Sequence, residues 1–287
     1  MTRVVLVLLI GAAAVSTGAI WIRLALTQIS GNTGTASLVL AALRLAAAAL
    51  IMSPGLSGLK NTSAKARRLT WLAGTLLAIH FATWIPSLAL TSVAASVALT
   101  NTHPLWIAAF GFFFQKNRYR CQVWVALALS LTGTILVSLD PGASSPASLS
   151  GNLLALISGV AFAAYMLAGQ SAQRAGISSA TYLAQCYLAA ALILLPLPLL
   201  FEGHYFGYPA QFYLYALLLA LIPQMIGHSS FNWALRHASP LWVSQAVLLE
   251  PLGAGILAWL LFAEAPTAPT LAGVALLLLG FSLSLRG

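Results

Sequence analysis

The chain has 287 residues, of which 60% are hydrophobic and 6% charged, with a formal net charge of +9 and a mean hydropathy of +0.93. A soluble domain of this length carries roughly a quarter charged residues, so the composition excludes a water-facing globule. The basic excess sits in loops on one side of the apolar runs, which excludes a nucleic-acid surface; Cys121 and Cys186 form no CxxC pair and imply neither a disulfide framework nor a metal site.

Ten apolar runs follow one another, at about 4–27, 35–53, 69–90, 93–114, 121–139, 151–170, 180–200, 211–233, 240–262 and 269–285. Each is long and continuous, whereas a membrane barrel would show short alternating segments. The first has Arg3 ahead of an apolar stretch, as a signal peptide does, but nine further runs follow and it reads as a mature helix. The longest polar connections, 54–69, 140–150 and 202–211, are too short for a soluble domain. No Gly-rich phosphate loop occurs, which argues against ATP-driven pumping by this chain.

In a ten-span arrangement Arg3, Lys60, Lys65, Arg67, Arg68, Lys116, Arg118, Arg120, Arg174, Arg236 and Arg286 fall on one side, and Asp140, Glu202 and Glu264 on the other. Positive loops stay inside, so both termini are expected in the cytoplasm.

The stretch Ala246–Gly280 has an echo 147 positions upstream, in which Pro104 matches Pro251, Leu105 matches Leu252 and Gly133 matches Gly280, while His103 falls on Glu250. A second echo relates Leu40–Leu50 to Leu183–Ile193 at an offset of 143, with Arg44 opposite Tyr187. Two copies of one ancestral half are therefore expected: residues 1–140, a linker at 141–150 rich in Pro, Gly and Ser, and residues 151–287. Five spans per half is odd, so the halves run in opposite directions across the bilayer. The fold class is an all-α membrane protein with ten transmembrane helices in two inverted five-helix repeats, a recurrent design of secondary transporters with a substrate site near the midplane.

A charge at the bilayer centre costs at least about 2.5–3.5 kcal/mol on insertion scales, so each one needs a reason. Arg23 lies near a span end and can snorkel. Arg44 and Glu250 lie mid-span, and either pair with each other or with helix carbonyls, or face a cavity and bind a substrate charge or a proton. The fourth span carries Thr100, Asn101, Thr102, His103 and Pro104 in a row, where the proline is expected to kink the helix. On one helix Asn101 and His103 point in different directions, so one is expected inward and the other at a helix contact.

His80 and Trp84 share a face in the third span, as do Gln224 and His228 in the eighth. The sixth span offers Ser158, Phe162 and Tyr165, and the first Ser16, Thr17 and Trp21. Each of these polar residues reads equally as a hydrogen bond between helices. Trp71 and Trp242, near span ends, suit an interfacial belt. The fifth and tenth spans carry small residues and no ionisable group, which suits close scaffolding or dimer contacts.

The run LLEPLGAGILAWLLFAEAPTAPTLAGVALLLLG resembles the signature of the EamA-type drug/metabolite transporters, and Arg44 in RLAAAAL resembles an arginine of that family's second helix. The resemblance implies a bacterial inner-membrane exporter of small metabolites, often amino acids, with a central cavity between two baskets of helices and cytoplasmic termini. Two departures stand out: Asn117 occupies the place of Glu264 in the first half, and His103 that of Glu250.

The expected function is a secondary transporter of neutral or aromatic amino acids working by alternating access, as a monomer or homodimer in the lipid bilayer, with no cofactor. His80, Trp84, Asn101, His103, Tyr165, Gln224 and His228 are expected to line the cavity, with Arg44 and Glu250 as charge or coupling residues. A rival within the family is export of cationic drugs or quaternary amines through Glu250. An intramembrane enzyme is disfavoured, since the only aspartate is Asp140 and no GxSxG or HExxH occurs. A channel is disfavoured by the lack of rings of like charge.

Overall fold

A computed structural model describes residues 2–29, 33–91, 93–116, 118–138, 148–262 and 268–284. Asn117, Asp140, Glu264, Arg286 and most of the 141–150 linker lie outside the described residues. Among those described, every regular element is helical. In chain order they are α1 (Thr2–Leu26, turning at Thr17), α2 (Thr33–Met52), α3 (Ala64–Leu90), α4 (Val93–Thr100), α5 (His103–Gln115), α6 (Cys121–Ser138), α7 (Leu149–Arg174), α8 (Ser179–Leu194), α9 (Ala210–Ala234), α10 (Pro240–Val247), α11 (Glu250–Phe262) and α12 (Ala268–Ser284). Seven helical stretches are long and apolar enough to cross a membrane, and α6 and α12 are shorter apolar helices.

Local sequence sets where the helices start and break. Ser63, Ser178 and Ser239 accept hydrogen bonds from the backbone N–H of Ala66, Thr181 and Trp242, and so cap α3, α8 and α10. The fourth expected span is not one kinked helix. It breaks into α4 and α5 at Asn101–Thr102, which places Pro104 in the first turn of α5, where its missing N–H costs nothing. The ninth breaks likewise at Leu248–Leu249, with Pro251 in the first turn of α11. The two breaks are 147 residues apart, matching the offset of the sequence echo. In α9 the segment Ala220–His228 winds as a π-helix around Pro223, which cannot donate a ladder hydrogen bond.

Tight packing uses small residues. Helix α3 lies along α7 and α8, and α6 lies along α12. At this second contact a Cβ on Gly133 would stand 2.6 Å from the Gly273 carbonyl oxygen and 2.7 Å from Leu277 N. A Cβ on Gly280 would stand 2.8 Å from the Ala126 carbonyl oxygen and 2.9 Å from Ser130 N. Shifting Gly133, Gly273 and Leu277 by 147 positions gives Gly280, Ala126 and Ser130, so the two contacts correspond position for position at the offset of the sequence echo. Between α8 and α9, Tyr205 donates to the Leu195 carbonyl at 2.6 Å, and its partial burial pushes the hydroxyl up to about 12.

Replacing Gly133 by Leu forces α6 and α12 apart and is expected to destabilise the protein by about 1–3 kcal/mol, as overpacking does. Gly255 has open space around its Cβ position, so Gly255→Ala is expected to raise stability by up to about 1 kcal/mol through helix propensity. Thermal unfolding in detergent, read by tryptophan fluorescence, checks both; a destabilised Gly255→Ala or an unaffected Gly133→Leu contradicts this packing.

Candidate functional site: a polar cavity at the helix breaks

The two breaks open a cavity in the middle of the bundle. Its wall includes Val15 and Gly18 of α1, Arg44 of α2, His80 and Trp84 of α3, Thr100, Asn101 and His103 around the first break, and Phe162 of α7. Pro223, His228 and Phe231 of α9 and Val247 and Glu250 around the second break complete it. The empty space is about 510 Å³, its open mouth included.

Asn101 and His103 both reach the cavity, contrary to the expectation that one would turn away. That expectation assumed a continuous helix, and the turn at Asn101–Thr102 removes the angular relation on which it rested. His103 also ties the first break to α10: its Nδ1 lies 3.2 Å from the Thr100 carbonyl oxygen and its Nε2 3.3 Å from that of Ser244. Opposite, Ser16 Oγ lies 3.0 Å from the Glu250 backbone carbonyl, which fixes α1 at the second break.

Arg44 is 1% exposed. Its Nε donates to Gln224 Oε1 at 2.8 Å, and its guanidinium carbon stands 4.2 Å from the centroid of the Phe81 ring. A cation over an aromatic face is stabilised by about 0.5–2 kcal/mol, more when desolvated. Arg44 Nη1 has no hydrogen-bond partner. Arg44 and Glu250 form no ion pair among the described residues, although both face one cavity.

Aromatic rings line the same cavity. The His80 and Trp84 rings stack with centroids 6.0 Å apart, and His80 meets Phe162 at 4.9 Å. Phe162 also meets His103 at 4.9 Å and His228 at 5.8 Å. His80 is held by α7, with Nδ1 2.8 Å from Ser158 Oγ.

Two expected wall residues lie behind the wall. Tyr165 is turned to α9, where its hydroxyl accepts a hydrogen bond from the Asn232 amide. Gln224 is displaced by the π-helix, in which i and i+5 replace i and i+4 as neighbours, so Pro223 and not Gln224 shares the cavity face with His228. Gln224 acts instead through Arg44. Among residues not singled out from the sequence, Val15, Val97, Phe231 and Val247 line the cavity; each is an apolar residue in an apolar run, which gives no signal. Among the described residues no group of three or more His, Cys, Asp or Glu could hold a metal ion.

The fold and site define a multi-pass helical membrane protein with an open-mouthed cavity among its helices, lined by apolar, aromatic and polar residues. Residues 149–286 match the EamA-like transporter family, a family of small-molecule membrane transporters, as the sequence resemblance implied. No curated protein is similar enough in sequence to match. A solved crystal structure aligns over 99% of this chain and 96% of its own with a TM-score of 0.79 at 18% identity, a likeness that bears on the fold alone.

Gln224→Leu is expected to destabilise the protein by about 1.5–3 kcal/mol, since it strands the Nε of a buried charge. Adding Arg44→Met removes that charge, so the double variant should be destabilised by clearly less than the sum of the two single changes. Unfolding of the four proteins in detergent measures the coupling, and strict additivity means Gln224 does not hold Arg44.

Proposed function

We propose that the protein is a secondary transporter of neutral or aromatic amino acids, exporting them across a bacterial inner membrane by alternating access. The observation that carries this reading is the pair Arg44 and Glu250, a cation and an acid facing one cavity without an ion pair, with aromatic rings lining the same cavity. A zwitterion with an apolar side chain complements all three features at once. A simple cation would leave the buried guanidinium unanswered and meet its repulsion. Glu250 does favour a second reading, export of quaternary amines, because its carboxyl group lines the cavity with no side-chain hydrogen bond among the described residues.

Alternating access is supported by the matched breaks at Asn101–Thr102 and Leu248–Leu249 and by the reciprocal glycine contacts of α6 and α12. Both are what two inverted halves related by a pseudo-twofold axis would produce. Rocking one half on the other at these points would expose the cavity to each side in turn.

Uptake of a labelled amino-acid panel into proteoliposomes, with and without an imposed pH gradient, tests the substrate class. Saturable phenylalanine uptake, competed by other aromatic amino acids and insensitive to the gradient, is expected. Glu250→Gln should raise KM about tenfold, the loss of roughly 1.4 kcal/mol, and leave transport measurable. Silence across the panel, with quaternary-amine transport abolished by Glu250→Gln, would establish the cationic reading instead. The orientation has its own test, because Cys121 is exposed beside the basic loop and Cys186 is buried. A membrane-impermeant maleimide should label the protein in inside-out vesicles and spare it in right-side-out ones; the reverse pattern inverts the topology.

A further inference from the structure

We propose that Arg44, Asn101 and His228 form a carboxylate-binding end of the cavity, with Gln224 as the residue that positions the guanidinium. The proposal rests on the transport reading only for what the carboxylate belongs to; the binding chemistry stands on three unanswered polar atoms. Arg44 Nη1, Asn101 Nδ2 and His228 Nδ1 are buried and have no hydrogen-bond partner, in residues that are 1%, 3% and 6% exposed. Buried polar atoms are nearly always paired, so three orphans in residues that line one cavity point to a ligand that pairs them.

The chemistry of the three atoms selects that ligand. An arginine N–H and an amide N–H are donors, and a neutral imidazole can carry its proton on Nδ1. The ligand must therefore be rich in acceptors, and a guanidinium with an unpaired Nη1 and no ion pair among the described residues favours a negative one. A carboxylate offers two oxygens with about four lone-pair sites and makes short, charge-assisted hydrogen bonds to arginine. Water could fill the acceptor role but not answer the charge.

Gln224 and Phe81 explain why the guanidinium is ready. Gln224 Oε1 accepts a hydrogen bond from Nε at 2.8 Å and the Phe81 ring covers one face at 4.2 Å, which leaves Nη1 as the part still to be bound. Glu250, the acid on the same cavity, repels a carboxylate and so fixes the direction in which the ligand lies. Trp84 and Phe162 receive an apolar group attached to it.

The test uses the full chain in nanodiscs and two isosteric probes, 3-phenylpropanoate and 3-phenylpropanamide, with binding measured by calorimetry. Loss of a charged hydrogen-bond partner predicts that the acid binds about ten- to a hundredfold more tightly than the amide. Arg44→Gln should erase that preference and Gln224→Leu should reduce it. Equal binding of the two probes, binding of neither, or a preference that survives Arg44→Gln overturns the assignment. The acid–amide comparison on the unmodified protein decides the matter even where a variant fails to fold. The transport reading fails separately: a kept acid preference with no phenylalanine uptake sinks transport and sustains the carboxylate end. Phenylalanine uptake that the amide of phenylalanine inhibits as well as phenylalanine itself does the opposite.

Discussion

Arg44 is the constraint around which the interior is arranged. A guanidinium cannot shed its charge within a protein, so a chain that places one mid-span has to answer it with dipoles, with a ring face or with a counter-ion. Here the answer is partial. Gln224 reaches it from 180 residues away and Phe81 covers it, but no carboxylate closes on it. That incompleteness separates a binding group from a structural one. A buried pair with Glu250 would have locked α2 to α11 and left a cavity with no electrostatic preference.

The geometry that leaves Arg44 open comes from irregular helix. At membrane depth, backbone freed from a helical ladder is tolerated only where it is buried in protein or lines a cavity. Three interruptions here meet that condition: the turn at Asn101–Thr102, the turn at Leu248–Leu249 and the π-segment Ala220–His228 border one space. Pro104, Pro223 and Pro251 are their local causes. The regular helices α6 and α12 have no such interruption among the described residues, and their closest contact is small residue against backbone.

How much of this was legible in the sequence depends on contrast. Arg44, Glu250, His80 and His103 stand out because a polar residue in an apolar run is rare, and each faces or supports the cavity. The breaks were half legible: the prolines marked the place, but a kink was the expectation and a turn the outcome. Phe162 stood out only through its spacing from Ser158, and Phe231 not at all, since one more aromatic in a hydrophobic helix carries no contrast. The role of Gln224 was out of reach for another reason. It depends on a change of helical winding and on a partner far away in the chain, neither of which periodicity encodes. Tyr165 was misplaced because spacing locates a face and not the depth at which a hydroxyl finds Asn232.

The departure of His103 from Glu250 gains a physical meaning once both are placed. They occupy matching sites at the two breaks, where a symmetric pair of acids would set two carboxylates against one cavity and raise the cost of ionising either. Histidine avoids that. Its two ring nitrogens instead face the Thr100 and Ser244 carbonyl oxygens, and the second of these contacts stitches the first break to α10. Glu250 makes no matching tie through its side chain among the described residues; its backbone carbonyl alone is engaged, by Ser16. One break is thus tied to α10 by its side chain while the other keeps its side chain free for the cavity. Two identical residues at these matching positions could not divide the work in this way. The asymmetric pair fastens one break and leaves a polar group available at the other.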